Sequence, residues 1–253
     1  MFIDKDDNIN PNKIISLVPS LTELLFDLGL ENKIKGITQF CISPAEKVKT
    51  VEKIGGTKNI NLTKIEQIKP DLIIASKEEN VKEQIEKLSK KYNIYLTDIN
   101  TFDNALSEIK NIGKITKTEK KAKEITNKII DNFTKISSSL NNKTFAFFIW
   151  NKPLMVVGQN TFINDIMAKI GGKNIYNFKP DRYPETTITE IENLKPDIIF
   201  LSTEPYKFTE KHKKLFVNLN RTKIFIVECE YFAWYGSRLI KTPEYINKLL
   251  KKL

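Results

Sequence analysis

The densest concentration of recognition chemistry in the chain lies near its carboxyl end, in Tyr231-Phe-Ala-Trp-Tyr-Gly-Ser-Arg238. Phe232, Trp234 and Tyr235 offer aromatic faces, which supply contact area at low entropy cost. Arg238 follows beyond Gly236 and Ser237, a pair suited to a tight turn. A guanidinium placed there can pair with an anionic edge of whatever the rings hold. Arginine is scarce: of 41 basic residues only Arg182, Arg221 and Arg238 are arginine. Where arginine persists against such a lysine bias, its planar fork does something a point charge does not. Arg182 and Tyr183 lie in Asp-Arg-Tyr-Pro and join Trp150, Glu204 and Tyr206 as candidates for ligand contact. For each of them ordinary packing is the competing role.

A second candidate is Pro19-Ser-Leu-Thr-Glu23, which follows the apolar run Ile14-Ile-Ser-Leu-Val18. The spacing predicts a capping box, with Ser20 as N-cap and Glu23 reaching back. Pro19 and Ser20 would also meet a ligand if the free N–H groups and dipole of that helix start faced one. Cys41 and Cys229 each follow an expected strand. A soft ligand to a metal is one role for them, and a buried free thiol is the commoner one. They are too few and too far apart for a zinc site or a disulfide framework. The one histidine, His212, lies in the charged run Thr-Glu-Lys-His-Lys-Lys and reads as helix surface. A bare metal held by several imidazoles is therefore excluded, so any metal should arrive wrapped in an organic ligand. No Ser/His/Asp or Cys/His constellation and no phosphate-cradling loop is visible, so no catalytic residue is assigned.

The net charge of +10 raises nucleic acid as a partner. The lysines are dispersed among glutamates, however, and no zinc-finger spacing, arginine cluster or RNP-type motif is present. A solvated lysine-rich surface is the reading adopted, with no nucleic-acid partner. No apolar run approaches the roughly 18 residues of a membrane span. The start, Met-Phe-Ile-Asp-Lys-Asp-Asp-Asn, lacks the pattern of a secretory signal. The expected location is cytoplasmic as the sequence stands, and periplasmic or cell-surface if an export segment was removed.

The elements that must position these residues are announced by a repeat. Thr63-Lys-Ile-Glu-Gln-Ile-Lys-Pro-Asp-Leu-Ile-Ile-Ala-Ser76 recurs as Thr189-Glu-Ile-Glu-Asn-Leu-Lys-Pro-Asp-Ile-Ile-Phe-Leu-Ser202. Each copy reads as a short helix stopped by Lys-Pro-Asp, then a buried parallel strand. Ile94-Tyr-Leu-Thr-Asp98 and Ile224-Phe-Ile-Val-Glu228 follow at similar distances. Two halves that alternate strand and helix predict an α/β protein of two Rossmann-like lobes with parallel sheets.

Between the halves, Ile109, Ile112, Ile115, Ala122, Ile125, Ile129, Phe133, Ile136 and Leu140 keep helical periodicity. Gly113 weakens that helix or marks a break. As one helix the segment would form a rod of roughly 50 Å. The expected division is a flexible arm at 1–11, an N-terminal lobe at 12–102, a linking helix at 103–141 and a C-terminal lobe at 142–253.

The run Ile15-Ser-Leu-Val-Pro-Ser-Leu-Thr-Glu-Leu24, followed by Gly36-Ile-Thr-Gln-Phe-Cys41, Gly55-Gly56 and Lys69-Pro-Asp-Leu-Ile-Ile74, carries a resemblance that continues to Tyr231–Arg238. The chain resembles the helical-backbone metal-receptor superfamily, the substrate-binding proteins of ABC importers for cobalamin, siderophores and haem. In pattern it is nearest the cobalamin receptors. The resemblance implies two lobes joined by a long backbone helix, a class III periplasmic-binding-protein fold. It also implies a small-molecule metal chelate, a corrinoid or an iron chelate, held between the lobes of a monomer with no intrinsic cofactor. It carries Phe40, Phe232 and Trp234 onto aromatic ligand positions. Two departures stand out. The export signal is not seen, and Thr63 and Thr189 occupy the positions where cobalamin receptors place glutamates that dock on an ABC permease. Glu66 and Glu192 lie one turn along. The function expected is non-catalytic binding and delivery of an organometallic ligand. The alternative is a cytoplasmic enzyme or chaperone of corrinoid or haem processing on the same fold.

Overall fold

The computed structural model describes residues 1–7, 9–136 and 140–252. The chain divides into two compact units. The first comprises 1–99, 103–131 and 235–240; the second comprises 100–102, 132–234 and 241–253.

In the first unit the chain runs β1 (Phe2–Ile3), β2 (Ile14–Ser16), α1 (Pro19–Asp27), β3 (Ile34–Ile37), α2 (Ala45–Val48), β4 (Glu52–Lys53), α3 (Leu62–Ile68), β5 (Leu72–Ser76), α4 (Lys82–Ser89) and β6 (Ile94–Thr97). The strands form a parallel sheet in the order β1-β6-β5-β2-β3-β4. Its central strands β2 and β5 are buried at every residue, as a sheet covered on both faces demands. The expected loose arm is partly ordered: Phe2 and Ile3 pair with Ile94 and Tyr95 at the sheet edge, and Ile3 is buried. Two residues have too little periodicity to announce a strand.

The linking segment departs from the single expected rod. It forms α5 (Phe102–Ile115) and α6 (Glu119–Phe133), each about 20 Å long at 1.5 Å per residue. The break is built by Thr116, Lys117 and Thr118. Lys117 takes a left-handed φ of 59°, and the Thr118 N–H donates to the Gly113 carbonyl at 2.7 Å. The Thr116 hydroxyl donates back to the Ile112 carbonyl at 2.7 Å. Gly113 itself stays helical and serves close packing. A Cβ there would lie 2.4 Å from that of Ala122, so its absence lets α6 lie against α5. Residues 137–139 of the expected helix lie outside the described residues.

The second unit carries β7 (Thr144–Trp150), β8 (Leu154–Val156), α7 (Phe162–Lys169), β9 (Lys173–Asn174), β10 (Glu185–Thr186), α8 (Ile188–Leu194), β11 (Ile198–Ser202), β12 (Lys223–Val227), α9 (Glu230–Ala233) and α10 (Thr242–Leu250). Short 3₁₀ helices span Glu210–Phe216 and, in the first unit, Ser237–Ile240. The sheet order is β10-β8-β7-β11-β12, with β9 added on β7. β7, β11 and β12 run parallel, whereas β8 runs antiparallel to both of its neighbours, β7 and β10, so this sheet is mixed. Phe145, Phe147, Phe148 and Phe200 fill both faces of its centre.

The sequence repeat is a structural repeat. α3 and β5 correspond to α8 and β11, and both helices end on a lysine in left-handed conformation, Lys69 (φ 52°) and Lys195 (φ 47°). Each cap N–H bonds the carbonyl four residues back, Ile65 or Ile191. The proline that follows cannot continue a helix and keeps the preceding residue out of the α region.

Candidate functional site

Open α/β sheets present ligands at the carboxyl ends of their strands, and each unit gathers candidate residues there. In the first unit, the turn after β3 alternates exposed Phe40, buried Cys41 and exposed Ile42. Phe40 is 52% exposed and lies over Gly56, where an added Cβ would come within 3.1 Å of the ring. The Cys41 sulfur sits 3.1 Å from the Thr22 hydroxyl and 3.2 Å from that of Thr38. Burial raises its pKa, against the hydrogen bonds from those threonines, so the thiol is held neutral.

The expected capping box is not formed. α1 starts on Pro19, its N-cap is Val18, and no side chain caps it. Glu23 turns instead to a partner 215 residues away. Arg238 Nε donates to Glu23 Oε2 at 2.9 Å, with both side chains under a tenth exposed. Ser43 bridges the pair: its hydroxyl donates to Glu23 Oε1 at 3.0 Å and accepts from Arg238 Nη2 at 3.2 Å. Ser20 is left with a buried hydroxyl that has no hydrogen-bond partner, as is Ser237. Tyr235 is buried, its hydroxyl 2.9 Å from Ser76 Oγ and 3.1 Å from Glu79 Oε1. Desolvation, and then the Glu79 charge, push that phenol far up.

The aromatic stretch Tyr231–Arg238 is thus divided. Tyr235 and Arg238 belong to the first unit, Phe232 and Trp234 to the second. Phe232 is fully buried against Phe147, Phe200 and Tyr245, and Trp234 is buried after α9. Cys229, also buried, has its thiol pKa raised by desolvation.

In the second unit, the β7–β8 hairpin and the loop after β11 bring Trp150, Asn151 and Tyr206 together with His212. The Trp150 and Tyr206 rings meet edge to face at 5.8 Å, and Trp150 remains 39% exposed. The indole N–H donates to the Lys152 carbonyl at 3.1 Å. Tyr206 also packs edge to face on Phe208 and on His212. His212, read from sequence as plain helix surface, closes a capping box with Thr209 and reaches Tyr206 with its other nitrogen. Its lysine-rich neighbourhood masked that role. Glu204 places its carbonyl on the Ser202 hydroxyl at 2.7 Å. Arg182 is fixed in another loop, donating from Nε to the Asn160 carbonyl and from Nη2 to Asn100 Oδ1, with Tyr183 5.8 Å away.

Thr63 and Thr189 occupy matching second positions of α3 and α8. Glu66 pairs with Lys91 at 2.6 Å, and Glu192 accepts from Asn218 at 2.7 Å. Among the described residues no group of three or more His, Cys, Asp or Glu is arranged to hold a metal ion, and no helix is long and apolar enough to cross a membrane.

The periplasmic binding protein family model matches residues 14–222. The vitamin B12-binding protein of Photorhabdus laumondii is 25% identical over 248 residues, covering 95% of this chain and 88% of its own. An uncharacterized ABC transporter substrate-binding lipoprotein of Bacillus subtilis is 30% identical over 249 residues, covering 92% of this chain and 78% of its own. Among solved structures, the periplasmic haem-binding protein of Roseiflexus sp. RS-1 superposes with a TM-score of 0.80 at 16% identity, over 95% of this chain and 98% of that one. At that identity the likeness shows the fold alone.

Proposed function

Because this chain belongs to the periplasmic binding protein family, whose members bind and are not enzymes, we propose that it captures an organic metal chelate and passes it to an ABC-type importer. The carrying observation is a large exposed aromatic side chain at the carboxyl ends of each sheet, Phe40 in the first unit and Trp150 in the second. Isolated exposed side chains of this size are unremarkable on a surface, but these two stand where this fold class takes its ligands. Flat aromatic faces suit a corrinoid, a haem or an aromatic iron chelate. The chelate is cargo and not a resident cofactor. The lipoprotein relative and the periplasmic family name support the periplasmic or cell-surface location, the second of the two expectations.

Cyanocobalamin, haemin and a ferric catecholate siderophore, titrated separately while absorbance and tryptophan emission are followed, test this reading. One of them is expected to bind stoichiometrically at micromolar concentration or below and to co-elute in gel filtration. At least one of Phe40→Ala and Trp150→Ala should weaken it about tenfold or more, the range of a contact hot spot. Failure of all three to bind would sink the proposal.

A further inference from the structure

The hydrogen bonds around Tyr206 assign its hydroxyl proton a direction of use. The Thr209 N–H donates to His212 Nδ1 at 2.9 Å. A backbone N–H can only donate, so Nδ1 is the accepting nitrogen and the imidazole proton resides on Nε2. A longer 3.3 Å approach of Nδ1 to the Thr209 carbonyl does not compete with that bond. Nε2–H lies 3.0 Å from the Tyr206 oxygen and therefore donates to it. Asn151 Nδ2 donates to the same oxygen at 3.1 Å. Both acceptor sites of the phenol oxygen are then filled, and its own O–H proton has no acceptor among the described residues. This half-buried donor stands beside the partly exposed Trp150 ring.

We propose that Trp150 and Tyr206 form a subsite for a flat ring bearing an anionic oxygen at its edge, the ring on the indole and the oxygen accepting from the Tyr206 hydroxyl. The inference rests on the chelate-binding reading and adds to it the chemistry of the ligand's periphery. His212 and Asn151 are positioning residues: by occupying the oxygen they stop it from accepting and leave only donation. Most of the flanking charges are positive, Glu204 and Glu210 excepted. Lys152, Lys207, Lys211 and Lys214 are exposed on the same segments, while Glu210 is taken up by Lys213 at 3.0 Å. A carboxylate, phenolate or phosphate oxygen is thus favoured over a donor such as an amine. Hydrogen bonds to a charged partner are the strong ones, so one such contact discriminates by about tenfold.

The test uses the full chain, labelled with ¹⁵N, and two simple probes with the same ring. 2-Naphthoate presents an acceptor, and 2-naphthalenemethylammonium presents a donor. Both are titrated while the Trp150 indole N–H signal is followed, with Trp234 as the internal reference. Naphthoate should shift Trp150 saturably and bind about tenfold more tightly than the ammonium probe. Tyr206→Phe, which keeps the ring, should remove that preference while leaving residual ring binding. A long-range ¹H–¹⁵N spectrum should show His212 Nδ1 without a proton. Equal binding of the two probes, naphthoate affinity unchanged in Tyr206→Phe, no response of Trp150, or a proton on Nδ1 would each overturn the subsite. These outcomes are separable from the chelate titrations. Naphthoate behaving as expected while no chelate binds would refute the delivery role alone, and a bound chelate with an indifferent Trp150 would refute the subsite alone.

Discussion

Replacing Arg238 by methionine should destabilise the protein strongly, although Arg238 sits in a short 3₁₀ helix near the carboxyl end and from its sequence would pass for a surface charge. Its side chain is 9% exposed and that of Glu23 8% exposed, with the bond between them at 2.9 Å. Removing the guanidinium leaves a buried carboxylate with only the Ser43 hydroxyl for company. Breaking such a pair from one side costs about 3–5 kcal/mol, because the remaining charge is uncompensated. Arg238→Lys keeps the charge but loses the second arm, which reaches Ser43 at 3.2 Å, so about 1–2 kcal/mol is expected. Glu23→Met should cost as much as Arg238→Met. The double variant Glu23→Met/Arg238→Met should recover to within about 1 kcal/mol of the parent, since a buried ion pair seldom outperforms apolar residues of similar volume. Urea unfolding followed by far-ultraviolet circular dichroism supplies all four corners of the cycle. Single-variant costs under about 1 kcal/mol, or costs that simply add in the double variant, would refute the argument.

Two further outcomes follow from the first unit. Gly113→Ala places a methyl 2.4 Å from the Ala122 Cβ and should destabilise by about 1–3 kcal/mol in thermal or urea unfolding, with Ala122→Gly in the same chain restoring most of the loss. Glu108, which accepts from the Tyr95 hydroxyl at 2.6 Å, is raised above its ordinary 4.5, chiefly by burial. The folded state therefore holds that proton more tightly than the unfolded state, and stability is lost as pH rises from about 4.5 through the raised value. Glu108→Gln should flatten that part of the pH–stability curve and raise stability at neutral pH; an unchanged slope would contradict it.

What the sequence disclosed and what it withheld divide along the range of the interactions involved. The α3–β5 and α8–β11 repeat was legible because its signals are local: apolar spacing, then Lys-Pro-Asp, then an unbroken apolar strand. Gly113 had offered a break in the linker, but its true place was not legible, because Ile115 and Ala122 are seven residues apart and preserve the same face whether or not the chain breaks between them. The break depends on threonine hydroxyls and one left-handed lysine, none of which has a strong sequence signature. Ser20 and Glu23 had the right spacing for a capping box, yet spacing cannot show that a buried arginine will claim the carboxylate from across the chain. The same limit hid His212. Its type and charged surroundings suggested solvent, whereas its two ring nitrogens are both occupied, one by its own helix start and one by Tyr206. Residue type tells what a side chain is able to do, but which of its atoms remain available is fixed only when the tertiary partners are known. At Trp150 and Tyr206 the unused capacity is a partly exposed ring and one proton with no acceptor among the described residues, and the proposed subsite rests on both.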